Sequence, residues 1–272
     1  MADTQISFER GVLGRTGLPV GRLGVAGGYG APASALEMAF ERGVNYVFWG
    51  SRRTKGFGDA LKRMRAQRER IVLVTQSYSR SAGLMGWSLE RALRTLNYDY
   101  TDVLLLGWWN HPVTPKIMDA ARELKRRGLV RYLGVSTHHR PFVEQAAGDF
   151  DVVHFRYNAA HPGAEQDIFP RMPEAGKSGM VSFTATSWRQ LIGKGGPQSI
   201  VMGGHAIPKS ERVPTAADCY RFVLARPEVD VCLTGPSSAA EMEEALEALR
   251  LGPMSEDELA WMRRVGRAVA GK

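Results

Sequence analysis

Eight short apolar runs punctuate this chain, and their spacing leaves few folds open. They are Arg22–Val25, Val44–Trp49, Ile71–Thr75, Asp102–Leu106, Arg131–Val135, Val152–Phe155, Met180–Thr184 and Val231–Thr234. Runs this apolar, with little polar alternation, predict strands buried on both faces, hence a parallel sheet. Amphipathic helical patterns lie between them. Leu84–Leu96 puts Leu89, Ala92, Leu93 and Leu96 on one stripe, and Pro115–Arg127 follows a threonine at the cap position, Thr114. Eight strand-helix units in 272 residues fit a closed (β/α)8 TIM barrel, an α/β fold, better than an open sheet. No Pro-, Gly- or Ser-rich linker and no fixed-period repeat divides the chain, so one domain over residues 1–272 is expected.

Two segments stand outside the repeat. Gly14-Arg15-Thr16-Gly17 reads as the turn of a short N-terminal β-hairpin that plugs one end of the barrel. Gly193 to Pro214, with Gly195-Gly196 and Gly203-Gly204, reads as a long flap after strand seven, on the face where barrels build their sites. A hydrophobic content of 44% excludes intrinsic disorder. Cys219 and Cys232 are too few for a disulfide framework and read as buried small hydrophobes. The opening residues lack a basic region followed by an apolar run, so no secretory signal is expected. No segment reaches the ~20 apolar residues of a membrane span, and a cytoplasmic location is expected. The formal charge is +8. Its densest run, Lys62 to Arg70, mixes with acids at a helix-to-strand junction, and the expectation is a solvated face rather than a nucleic-acid surface.

Several stretches, in order, resemble the aldo/keto reductases. They are Leu13-Gly14-Arg15-Thr16-Gly17-Leu18-Pro19-Val20-Gly21, Glu41-Arg42-Gly43-Val44-Asn45-Tyr46, Ser88-Leu89-Glu90-Arg91-Ala92-Leu93 with Asp99-Tyr100-Thr101-Asp102, and Arg131-Tyr132-Leu133-Gly134-Val135-Ser136. The resemblance implies a carbonyl oxidoreductase that uses a nicotinamide cofactor and an aspartate-tyrosine-lysine-histidine tetrad for general acid catalysis. Carried over by position, the four fall on Phe48, Arg53, Gln76 and Gly107, so the tetrad is expected to be missing. General acid catalysis contributes about 10²–10⁴-fold, so a reductase without it would be slow.

The resemblance also implies a partial cofactor cleft. Ser136 and Thr137 match the pair that contacts the carboxamide, His154 stands in the place of a glutamine for the same group, and Phe183, followed by Thr184, takes the place of the ring that stacks on nicotinamide. Gly235, Ser237 and Ser238, with Glu241 and Glu244 behind them, match the adenosine-phosphate loop and helix. The basic residues that hold a 2′-phosphate are absent, and Glu241 would repel one, so NAD is favoured over NADP, with no dinucleotide as the other outcome.

Trp49, Trp108 and Trp109 beside Arg52, Arg53 and Lys55 suggest an aromatic pocket with a basic rim for a planar or acidic small molecule. The plainer reading is that the tryptophans fill vacated space. Of the histidines, His111 and the His138-His139 pair follow strands where an acid or base would sit, but none has metal-ligand spacing, so no metal site is expected. Arg53, Lys55 and His111 are the candidates for a relocated acid. The alternatives are a catalytically silent binding or regulatory barrel, and a lyase or isomerase that reuses the pocket.

Overall fold

A computed structural model describes residues 8–50, 52–172, 176–195 and 204–271. All eight expected strands form, each within two residues of the bounds read from sequence. After two short strands, β1 (Gly11–Val12) and β2 (Pro19–Val20), come β3 (Leu23–Ala26), β4 (Tyr46–Trp49), β5 (Val72–Ser77) and β6 (Thr101–Leu106). They are followed by β7 (Val130–Thr137), β8 (Val152–Arg156), β9 (Gly179–Phe183) and β10 (Val231–Thr234). β3 to β10 close into a barrel in which every neighbouring pair is parallel, with β10 against β3.

Helices cover the outside. They are α1 (Ala33–Glu41), α2 (Lys55–Arg63), α3 (Ala82–Leu96), α4 (Pro115–Arg126), α5 (Arg140–Asp149), α6 (Ala164–Asp167), α7 (Ala216–Leu224), α8 (Ala239–Leu251) and α9 (Glu256–Ala270). Thr114 stands at the cap position of α4 but makes no side-chain capping bond; Pro115, pre-set for the first turn, starts the helix instead. Among the described residues no helix is long and apolar enough to cross a membrane.

Strand alternation sorts the core into two layers. One set of side chains, including Tyr46, Val72, Val74, Val103, Leu105, Val152, Val181 and Val231, fills the barrel. The other, including Val47, Trp49, Leu73, Leu104, Leu106 and Val153, packs under the helices with Leu89, Ala92, Leu93 and Leu96 of α3. Cys219 and Cys232 are buried in the core, as the sequence suggests. Most of the basic run is tied into ion pairs: Arg63 meets Glu37 at 2.7 Å and Arg68 meets the buried Asp102 at 2.8 Å.

The hairpin of β1 and β2 is antiparallel and stops the N-terminal end of the barrel. Leu13, Leu18 and Val20 complete the inner layer. Tyr132 donates to the Thr16 carbonyl at 2.7 Å, and the Arg15 amide donates to the Lys177 carbonyl at 2.7 Å. Gly14 adopts φ 44° there, and a Cβ on it would come within 2.3 Å of the Gly179 backbone nitrogen, so only glycine fits. With this end sealed, ligands can enter the barrel only from the other. The flap expected over Gly193–Pro214 lies partly outside the described residues, at 196–203.

Candidate active site at the barrel mouth

Every second strand residue turns inward, so the mouth is made by the last inward position of each strand. On β8 that rule stacks three layers: Val152 in the sealed core, His154 above it, and Arg156 at the top. His154 is buried, and its Nε2 lies 2.7 Å from the Tyr46 hydroxyl. Its ring also lies 5.8 Å from that of Phe48, on the strand diametrically opposite. Burial pushes the His154 pKa down to about 3, so this imidazole is neutral at any ordinary pH.

Phe48, Gln76 and Tyr78 crowd one wall of the mouth over two glycines. A Cβ on Gly107 would come within 2.5 Å of Tyr78 Cδ1 and 2.9 Å of Gln76 Nε2. A Cβ on Gly50 would meet Phe48 Cζ at 2.7 Å. The Tyr78 ring therefore lies on Gly107, and half of it remains exposed, at 50%. Arg80 fastens this wall: Nη1 donates to the Tyr78 and Gly107 carbonyls, Nη2 donates to the Trp108 carbonyl at 2.7 Å, and the guanidinium lies 3.9 Å above the buried Trp109 ring. Tyr29, on the turn after β3, lies across Gly235. Desolvation raises its phenol pKa, Tyr78 adds to the rise, and Arg52 opposes it.

From Gly107 the mouth continues in a run of aromatic rings. Trp108 is 60% exposed, holds φ 55°, and is fixed there by its amide donating to Ser136 Oγ at 2.9 Å. Its ring is followed by His138 at 5.7 Å and then by Phe183, 5.0 Å from His138. Burial, and then the charge of Arg156, lower the His138 pKa and keep it neutral. An open cleft lined by Tyr78, Arg80, Trp108, Asn110 and His111 leads in from solvent.

A second cleft lies on the opposite side of the mouth, after β9 and β10, lined by Thr186, Arg189, Lys194, Tyr220, Gly235, Pro236, Glu241 and Glu244. Ser238 caps α8, its hydroxyl accepting from the Glu241 amide. The Glu241 carboxylate folds back to accept from the Ser237 amide at 2.8 Å and the Ser237 hydroxyl at 2.7 Å, and it pairs with Arg189 at 3.0 Å. Partial burial works against its charge, but Ser237 and Arg189 together hold its carboxyl below the usual range. The Ser237 amide is thus already occupied by a carboxylate of the chain itself. Glu244 accepts from the Ala216 amide at the start of α7.

Several expected site residues lie elsewhere. Trp49 is one residue beyond inward-facing Phe48, so it points outward and is buried under the helices. Arg53 turns to α3, donating to the Ser88 carbonyl at 3.1 Å with its guanidinium over Trp49. Lys55 is 93% exposed and pairs with Asp59 along α2. Thr137, also at an outward position, donates to Asn110 Oδ1 at 3.1 Å and accepts from the His139 amide. Thr184 is not among these: it directly follows Phe183 at the end of β9, holds φ 60°, and its carbonyl accepts from Asn158. Trp108, His111, Ser136 and Phe183 do gather at the mouth, and Gly235 lies in the cleft across it with Ser237 on the same loop. Sequence reasoning missed Tyr78 and Arg156. The signal was present: each lies two residues beyond an inward position already singled out, Gln76 and His154. Among the described residues no cluster of His, Cys, Asp or Glu could hold a metal.

A plugged eight-strand parallel barrel with an aromatic mouth is the class of fold the chain adopts. The model of the aldo/keto reductase family matches residues 32–184, more than half of the chain, and the chain belongs to that family. Members are typically NAD(P)H-dependent oxidoreductases. The uncharacterized oxidoreductase YqkF of Bacillus subtilis is 22% identical over 271 residues, covering 83% of this chain and 84% of that protein. Norsolorinic acid reductase B of Aspergillus parasiticus is 34% identical over 101 residues, but the match spans 34% of this chain and only 26% of that protein. The holo structure of aldo-keto reductase AKR11C1 from Bacillus halodurans superposes with a TM-score of 0.75 at 18% identity, covering 96% of this chain and 97% of that one, which is a likeness of fold.

Proposed function

We propose that this chain, as a single barrel domain, is a nicotinamide-dependent carbonyl oxidoreductase whose proton donor has been rebuilt, and that it prefers NADH. One observation carries the reading: Tyr78 lies on Gly107 and against Gln76, the two positions where the family resemblance places a histidine and a lysine. A phenol is thereby returned to the mouth although the expected tyrosine position, Arg53, faces away. In an eight-strand barrel β5 and β9 are diametrically opposed, so Tyr78 faces Phe183 across the mouth.

The residues present fit the nicotinamide end of such a cofactor. Phe183 offers a half-buried ring for stacking, and Ser136 keeps its hydroxyl proton while accepting from Trp108. The bound dinucleotide supplies the hydride. Tyr78 then donates its hydroxyl proton to the alkoxide that forms, and Arg80 holds the Tyr78 backbone while it does so. Gln76 is neutral and does not supply the charge of the family's lysine. At the far end, Glu241 supports NADH over NADPH, because a 2′-phosphate would meet a carboxylate.

Titration of the tryptophan fluorescence with NADH and NADPH tests the cofactor reading, with tighter quenching by NADH expected. Tyr78→Phe should cut turnover of an aldehyde by about 10²–10⁴-fold with NADH affinity unchanged. Absence of saturable binding by either dinucleotide up to millimolar concentration would overturn it. The second reading, a silent binding barrel, is favoured by the same Glu241 contacts that fill the phosphate loop from within.

A further inference from the structure

Among the described residues, Arg156 is an inward-facing cation at the mouth that has no partner. It occupies the top inward position of β8, directly above His154, and its strand-register partner on β9 is Phe183. Its guanidinium is half-buried, and burial, then the charge of Arg140, lower its pKa. Arg140 is itself neutralised by Asp167 at 2.6 Å. No acid does the same for Arg156: among the described residues it makes no hydrogen bond, ion pair or ring contact. The other groups facing it do not compensate. His138 is held neutral, and Phe183 and Phe48 are apolar.

Desolvating an arginine without a counter-charge disfavours folding, so an anion that supplies the counter-charge is favoured at this position. A planar guanidinium beside a wall of aromatic rings matches a ligand that carries a carboxylate on a flat or unsaturated body, by bidentate charge-assisted hydrogen bonds at one end and ring contact along the side. We infer that the mouth binds a carboxylate-bearing carbonyl compound, with Arg156 as the residue that selects the carboxylate. The basic group for an acidic ligand is thus Arg156 rather than Arg53 or Lys55, which face away. As a substrate class this rests on the oxidoreductase reading above; as an anion site it does not.

The test is built to separate the two. Benzoate and its neutral isostere benzamide are titrated against the full chain without any cofactor, with exposed Trp108 as the fluorescent reporter. Benzoate is expected to bind at least tenfold more tightly than benzamide. Arg156→Met should weaken benzoate by roughly 10- to 100-fold and leave benzamide unchanged, the range of a charge-assisted pair. Arg156→Lys should recover part of the loss. The melting temperature of Arg156→Met should equal or exceed that of the parent, since a half-buried charge without a counter-charge has been removed. Equal affinity for the two probes, or benzoate binding that survives Arg156→Met, overturns the anion site. So does a clear fall in the melting temperature, which would give Arg156 a structural partner. Turnover is a separate arm: 4-carboxybenzaldehyde should exceed benzaldehyde in kcat/KM, and equal values overturn the substrate class. Intact benzoate binding with no turnover of either aldehyde would refute the oxidoreductase reading alone.

Discussion

His154 links the stability of this barrel to pH in a way that can be worked out and measured. In the folded chain its imidazole is buried beneath Arg156 and bonded to Tyr46, and its pKa is pushed down to about 3. In the unfolded chain it returns to about 6.5. The folded pKa is depressed, so the neutral form's contribution is complete above the unfolded value and is lost as pH falls toward the folded one. Between pH 7 and pH 5 the unfolded chain takes up nearly one proton here and the folded chain almost none. The cost is about 2 kcal/mol, and it hardly depends on how far below 4 the folded value lies. The other titrating groups contribute too, so the experiment needs a reference. His154→Gln supplies one, since a glutamine amide still bonds to the Tyr46 hydroxyl but does not titrate. Urea denaturation of both proteins at pH 7 and pH 5 should show the parent losing about 2 kcal/mol more than the variant. Parallel losses would refute the reasoning, because they would mean that His154 is protonated in the folded barrel. The same result bears on chemistry. A histidine that remains neutral in this way can accept or donate one hydrogen bond to Tyr46, but it is not a reservoir of protons for the mouth.

Two further outcomes follow from contacts away from Tyr78 and Arg156. Glu241→Ala releases the Ser237 amide and the Arg189 guanidinium, and it should shift the ratio of NADPH to NADH affinity about tenfold toward NADPH in a fluorescence titration; an unchanged ratio would remove Glu241 from cofactor choice. Gly14→Ala places a Cβ against the backbone of residues 177–179 at a positive φ, so it should destabilise the barrel by roughly 2–4 kcal/mol by dislodging the plug, read as a lowered urea midpoint.

The strands and the hairpin were legible because their signals are local. An apolar run such as Asp102–Leu106 has no soluble alternative to burial, and Gly14 and Gly17 mark a turn with positive φ. The site was legible only in part. Phe183 and Ser136 were suggested by the family resemblance, and the structure puts both at strand ends on the mouth. Trp49 and Arg53 were misplaced because adjacency in sequence was taken for adjacency in space, whereas successive strand residues face opposite ways. Strand parity applied one step further along would have exchanged Trp49 and Arg53 for Tyr78 and Arg156. Glu241 is legible in sequence as an acid beside the glycine-serine loop, but its fold-back onto Ser237 and Arg189 depends on where the loop after β9 lies.

The sequence by itself determined the barrel. Eight buried strands need eight neighbours, and a parallel sheet of that size with helices between its strands satisfies its edges by closing. Through the family resemblance it also suggested that the reductase tetrad positions fall on Phe48, Arg53, Gln76 and Gly107, the premise of the function proposed above. Only the tertiary structure decided what stands in their place. Whether a phenol reaches the space above Gly107, and whether a cation lacks a counter-charge, depends on pairs such as Tyr78 with Gly107 and Arg156 with the neutral His138, 29 and 18 residues apart in the chain. Such pairs follow from the closure of the barrel, which sets distances that no local pattern encodes.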